Sequence, residues 1–145
     1  MPAQFPILFF NEQLTFTLRD KSAVRFWLEA IIKTEVHKLN HINYIFCTDK
    51  YLHKINLKYL QHNTYTDIIT FDNSTTKGTI EADMFISIQR VKENAKALKI
   101  NFTDELHRVM AHGVLHLCGY KDKTPKAKQL MTSKEDYYLS LRPFL

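Results

Sequence analysis

The sequence predicts an α+β fold: a small mixed β-sheet packed with several helices, with a central helix carrying two histidines four residues apart. Three observations carry that prediction. Short segments rich in β-branched and aromatic residues recur between longer stretches whose apolar residues step by three and four. The two kinds of element do not alternate regularly, which argues against a repeating βαβ fold. Only three Gly and four Pro interrupt 145 residues, with no repeat or low-complexity tract, so a single domain over 1–145 is expected.

Taken in order, Ile7 to Phe10 and Leu14 to Leu18 read as short strands about a turn at Asn11-Glu12-Gln13. A helix is predicted from Lys21 to Leu39. There Val24, Trp27, Leu28, Ile31, Ile32 and Val36 share a face that Glu35 interrupts. Ile42 to Phe46 reads as a strand. Thr48 or Asp49 then caps a helix on which Leu52, Ile55, Tyr59 and Leu60 recur. Thr66 to Phe71 reads as a buried strand, Asn73 to Gly78 as a turn, and Ile80 to Ile88 as the last strand. Helices follow at Ile88 to Leu98, Thr103 to Cys118, and Pro125 to about Leu141.

Composition narrows the function classes. Lys+Arg 20 against Asp+Glu 15 gives a net charge of +5, a mild preference for polyanionic partners. Hydrophobic residues at 45% exclude a disordered chain. No stretch approaches the roughly 20 apolar residues that cross a bilayer. Two cysteines give no disulfide framework, and the N-terminal residues carry no basic region ahead of a long apolar run. A cytosolic protein without a leader is therefore expected. Seven histidines against two cysteines is the imbalance that points to chemistry.

Thr103 to Cys118 is the most informative segment. Thr103 is the expected N-cap, Asp104-Glu105 suit the positive end of the helix dipole, and Gly119 suits its end. Leu106, Val109, Met110, Gly113, Val114, Leu117 and Cys118 cover more than half the circumference, so the helix belongs in the core. His112 and His116 project from one face a turn apart, and two imidazoles so placed can converge on one metal ion. The plainer alternative is that each bonds a backbone carbonyl.

The residues after His116 favour the metal. Gly119 lets the chain fold back, and Asp122 lies six residues past His116, in the metzincin order H-x-x-x-H-x-x-G-x-x-[H/D]. Three protein ligands leave the fourth position of a zinc ion to water, whose pKa falls to about 7. A protease of the H-E-x-x-H type needs a glutamate base after its first histidine, and Gly113 stands there instead. Peptide hydrolysis is thereby disfavoured and a phosphodiester substrate favoured. Cys118 is rotated about 200° from His116, so it reads as core packing rather than as a ligand.

The run His112-Gly113-Val114-Leu115-His116-Leu117-Cys118-Gly119-Tyr120 resembles the signature H-G-x-L-H-L-x-G-Y-D-H of the YbeY family of bacterial zinc-dependent endoribonucleases. Asn56-Leu57-Lys58-Tyr59 with Thr66-Asp67-Ile68-Ile69-Thr70-Phe71 is similar to a second block of that family. Ala82-Asp83-Met84-Phe85-Ile86-Ser87 is similar to a third. The resemblance implies one zinc, held by His112, His116 and Asp122, whose bound water attacks the phosphodiester. It further implies single-strand-specific cleavage in 16S rRNA maturation and ribosome quality control. The implied partners are rRNA or a pre-ribosomal particle, small-subunit ribosomal proteins and an assembly GTPase. Two departures stand out: Asp122 replaces the family's third histidine, and Leu60 replaces an arginine of its cleft.

Candidate RNA contacts are Lys58, Arg108, Lys121, Lys123, Lys126 and Lys128. Four of these lysines stand with Asp122 within residues 121–128. Asp67 and Asp83 read either as cleft carboxylates or as strand-end residues bonding the backbone. Glu105 reads either as a support for a histidine or as an N-terminal helix charge. His37, His41, His53 and His62 have no ligand spacing and read as surface or interface residues. Two other classes are carried: a non-catalytic ribosome-assembly factor with a structural zinc, and a metalloprotease.

Overall fold

A computed structural model describes residues 5–144. Residues 1–4, part of the segment in which no leader is expected, and Leu145 lie outside the described residues. The chain runs β1 (Ile7–Glu12), α1 (Lys21–Thr34), β2 (Lys38–Cys47), α2 (Asp49–Leu60), β3 (Ile68–Asp72), β4 (Thr79–Ser87), α3 (Ile88–Leu98), α4 (Phe102–Leu117) and α5 (Pro125–Ser140). The strands form one sheet in the order β1-β2-β4-β3. β1, β2 and β4 are parallel, and β3 runs antiparallel to β4. This is the mixed sheet of the expected α+β class, although β1–α1–β2 is itself one βαβ unit.

Three expectations are corrected. Leu14 to Leu18 is not a strand: β1 pairs with β2 instead, Ile7 opposite Ile42 and Glu12 opposite Cys47, and Gln13 turns the chain at φ 61°. Leu18 is buried, and Leu14 and Phe16 pack at the core edge, so their alternation records burial without a ladder. The first helix ends at Thr34 rather than Leu39. Val36 lies at φ 61°, costly for a β-branched residue, and the bond from His37 N–H to Ile32 O at 3.0 Å closes the helix there. Finally, α4 starts earlier than Thr103. Asn101 is its N-cap, accepting from Asp104 N–H at 2.8 Å. Asparagine caps as well as threonine does, and the earlier start sets Phe102 edge-on against Phe16.

Period-two alternation divides the sheet between two apolar layers. Tyr44, Phe46, Met84 and Ile86 join Trp27 and Leu28 of α1 and Met110 and Val114 of α4. Cys47 and Ile69, with Phe85 beside them, join Leu52 and Ile55 of α2 on the other face. α4 touches α1, α3, α5 and β3, the central place its wide apolar surface predicts. It lies close to the sheet at Gly113, where a Cβ would stand 2.5 Å from Met84 Sδ and 3.0 Å from Ile68 Cδ1. That close approach seats the histidine-bearing face of α4 beside β3.

Candidate active site

His112 and His116 emerge from the last turns of α4 with rings nearly parallel, 3° apart in plane and 6.5 Å between centroids. α4 then ends in a Schellman motif: Tyr120 N–H bonds Leu115 O at 3.1 Å and Gly119 N–H bonds His116 O at 3.0 Å. Gly119 supplies the positive φ, 107°, that this reversal needs. The fold-back delivers two groups to the histidines. Tyr120 O lies 3.0 Å from His116 Nδ1, and Asp122 Oδ2 lies 3.3 Å from His112 Nε2.

The Nδ1 of His112 has its own partner, Glu135 Oε2 of α5 at 2.7 Å. Glu135 is buried at 5% exposure, and its other oxygen accepts from Arg108 at 2.9 Å. A backbone carbonyl can only accept, so His116 donates from Nδ1 to Tyr120 O, while His112 meets a carboxylate at each ring nitrogen, Glu135 at Nδ1 and Asp122 at Nε2. A histidine whose Nδ1 is engaged in this way presents Nε2 as its metal-binding atom. The Glu135 hydrogen bond raises the pKa of His112 against the opposing effect of burial.

The donor set fits zinc, since imidazole nitrogen and carboxylate oxygen are among its ordinary ligands. Two ligands of one tetrahedral ion at bond lengths near 2.0 Å lie roughly 3.3 Å apart, the separation between His112 and Asp122. Among the described residues no three His, Cys, Asp or Glu side chains are gathered into a finished cage, so the fit rests on the donors' chemistry. Cys118 is half-buried at the core edge, its thiol pushed up to about 12 by burial.

The sequence model of a protein family described as Endoribonuclease YbeY matches residues 9–141. The chain belongs to the YbeY endoribonuclease family. It is 55% identical over 138 residues to Endoribonuclease YbeY of Cytophaga hutchinsonii, covering 95% of this chain and 96% of that one. With the same-named protein of Flavobacterium johnsoniae it shares 49% over 132 residues, covering 91% and 94%. The solution structure of a Thermotoga maritima protein matches with a TM-score of 0.60 at 25% identity, covering 92% of this chain and 87% of that one. YbeY membership makes the chain an RNA-cleaving hydrolase. Among the described residues no helix is long and apolar enough to cross a membrane.

In this YbeY chain His112, His116 and Asp122 line a cleft of about 380 Å³ together with Asn56, Leu60, His62, Thr64, Thr66, Thr70 and Lys123. Of the six candidate RNA contacts, Lys123 lines it. Arg108 is committed to carboxylates, Glu135 at 2.9 Å and Asp136 at 2.5 Å. Lys58 lies on α2 with its Nζ over the Tyr59 ring. Lys121 lines a different recess beside Glu35, and Lys126 and Lys128 are exposed on the first turns of α5.

Behind His112 a smaller recess is lined by Asp67, Glu105, Glu135 and Asp122. Burial raises the pKa of Asp67, opposed by the nearby His112. Glu105 is no exposed helix charge: it is 5% exposed, with one oxygen lacking any hydrogen-bond partner among the described residues. Its pKa is raised by burial first and by Asp67 second. Asp83, in contrast, bonds the side-chain amides of Asn43 and Asn73. Glu135 was invisible to motif reasoning, because it lies 23 residues from His112 on an unremarkable polar stretch. Glu35 was equally hidden; it accepts from Tyr120 at 2.7 Å and from Tyr138. Its one sequence signal is that it interrupts the apolar face of the helix expected over Lys21–Leu39, although α1 ends just before it.

Proposed function

We propose that the chain is a zinc-dependent, single-strand-specific endoribonuclease of the cytoplasm. It acts in 16S rRNA maturation and ribosome quality control, on rRNA within a pre-ribosomal particle. Small-subunit ribosomal proteins and an assembly GTPase are its proposed partners, and the whole chain is proposed to be a single domain. The observation that supports the zinc reading best is the way the two histidine rings are held. Glu135 and the Tyr120 carbonyl each engage an Nδ1, which leaves Nε2 of each ring as the ligating atom, with Asp122 lining the same cleft.

His112, His116 and Asp122 would hold the ion, which when bound supplies a Lewis acid for a phosphoryl oxygen and a water that ionises near neutral pH. The chain's own groups do the rest. Glu135 fixes the ring of His112, as carboxylates beside metal-ligating histidines do. Lys123 brings positive charge to the cleft, where it attracts an RNA phosphate. The threonine side chains of the wall offer neutral hydrogen bonds to ribose and phosphate oxygens, while the Asn56 amide is spent on Thr64. Gly113 leaves no general base next to His112, which sets the site apart from H-E-x-x-H proteases.

The test combines metal analysis with a cleavage assay on pre-rRNA. Freshly purified protein is expected to carry about one zinc per chain, reduced in Asp122→Ala. Zinc-loaded wild type is expected to cleave single-stranded pre-rRNA, with His112→Ala inactive. Equal cleavage by wild type and His112→Ala overturns the catalytic reading. An unchanged zinc content in Asp122→Ala overturns the three-ligand set.

A further inference from the structure

We infer that His62 is a phosphate-contacting residue of the cleft, its imidazole N–H donating to a non-bridging oxygen of the bound RNA strand; this deepens the endoribonuclease reading and rests on it. Six of the seven histidines have a ring nitrogen already engaged, two at the candidate metal ligands and four in contacts elsewhere. His62 is the exception. Its backbone N–H bonds Asn56 O at 3.1 Å, while its ring has no hydrogen-bond partner among the described residues.

Its placement is not that of a stray surface histidine. Gln61, at φ 56°, ends α2 by turning the chain back. The next residue then lines the cleft that His112, His116 and Asp122 line from the α4 side. Apart from those three, His62 and Lys123 are the ionisable side chains of the cleft wall. A phosphodiester offers acceptor oxygens and a negative charge, so it needs donors, preferably cationic ones. Leu60, on the same wall, provides none, and Arg108 is held by Glu135 and Asp136. A phosphate held near the metal ligands is therefore left with His62 on one lip and Lys123 on the other segment.

The experiment measures anisotropy of a fluorescent single-stranded RNA oligonucleotide, 2′-O-methylated throughout to prevent cleavage, on zinc-loaded protein. It is paired with kcat and KM on the unmodified strand and with zinc content. His62→Ala is expected to weaken binding and lower kcat/KM by roughly tenfold, the scale of one hydrogen bond to a charged group, with zinc content unchanged. His62→Arg is expected to restore binding and to steepen the log–log salt dependence by about 0.7, the value of one single-strand phosphate contact. Binding by His62→Ala within about twofold of wild type overturns the inference, as does loss of zinc in that variant, which makes the residue a support of the metal site. If wild type binds the strand without cleaving it, the nuclease reading fails while the His62 contact is still decided by the binding arm. If wild type does not bind RNA, both fail.

Discussion

Gly113→Ala is the most informative single substitution, because it asks whether the close seating of α4 on the sheet is obligatory. The added Cβ would lie 2.5 Å from Met84 Sδ and 3.0 Å from Ile68 Cδ1, well inside the roughly 3.5–4.0 Å at which such atoms attract. Met84 is fully buried, so its sulfur moves only by displacing neighbours. Overpacking of this kind costs about 1–3 kcal/mol. The helix propensity of alanine over glycine returns about 1 kcal/mol, leaving a net loss of up to about 2 kcal/mol. For a chain of this size the upper end of that loss lowers Tm by roughly 4–8 °C. Urea unfolding followed by circular dichroism measures it, with an unchanged m-value showing that the denatured state is the same. A variant more stable than wild type by the full alanine propensity of about 1 kcal/mol would refute the packing argument. It would mean that propensity outweighs contact and that glycine is there for another reason. Gly113→Glu writes the protease motif into the sequence, yet it buries a charge where even a methyl group is crowded. That variant is expected to be insoluble or unfolded rather than a peptidase.

Glu135→Gln is expected to weaken zinc binding about 10–100-fold, as loss of a histidine-orienting carboxylate does; competition with a chromogenic chelator reads it, and unchanged affinity contradicts the proposed role. His107, on the far side of α4, is buried at 2% exposure, and burial first, then Arg142, pushes its pKa down to about 4. Below about pH 6.5 the unfolded chain takes up a proton that the fold refuses until about pH 4, so stability falls by about 3 kcal/mol as pH drops through that window. His107→Gln should flatten the fall in urea midpoints measured across it, and an equally steep fall would assign the effect to other groups. Burial opposes ionisation of Glu35, but the hydroxyls of Tyr138 and Tyr120 outweigh it and hold the carboxyl below its usual range. Glu35→Ala strands both hydroxyls and is expected to cost about 2–3 kcal/mol, whereas Tyr120→Phe or Tyr138→Phe should each cost about 1 kcal/mol. Calorimetry checks these, and a Glu35→Ala loss below about 0.5 kcal/mol would count against a structural cluster.

The helices that the sequence predicted well are those with local signals. α2, α3 and α5 are announced by Thr48, Ser87 and Thr124, whose side chains accept from backbone N–H groups three residues on. The errors fell where two local rules compete. Leu14, Phe16 and Leu18 alternate like a strand, but the place beside β1 is taken by β2, whose paired residues lie 35 positions further on. Val36 continued the apolar face of α1 in sequence, yet its backbone had left the helix.

By itself the sequence determined the elements of the site that are local. The pairing of His112 with His116 follows from one helical turn, and the delivery of Asp122 follows from the Gly119 reversal, because both are set by backbone geometry over a few residues. The tertiary structure decided everything that converges on them. Glu135 reaches His112 from α5, Glu35 reaches Tyr120 from the end of α1, and His62 enters the cleft from the end of α2. It also turned Arg108 from a candidate RNA contact into a partner of Glu135 and Asp136, and drew Glu105 from the helix surface into the interior. The physical reason is that a side chain's charge state and partners depend on which distant segments desolvate it and which atoms they offer in place of water. The packing of α4 against the sheet and α5 sets those partners, and the spacing along the chain does not.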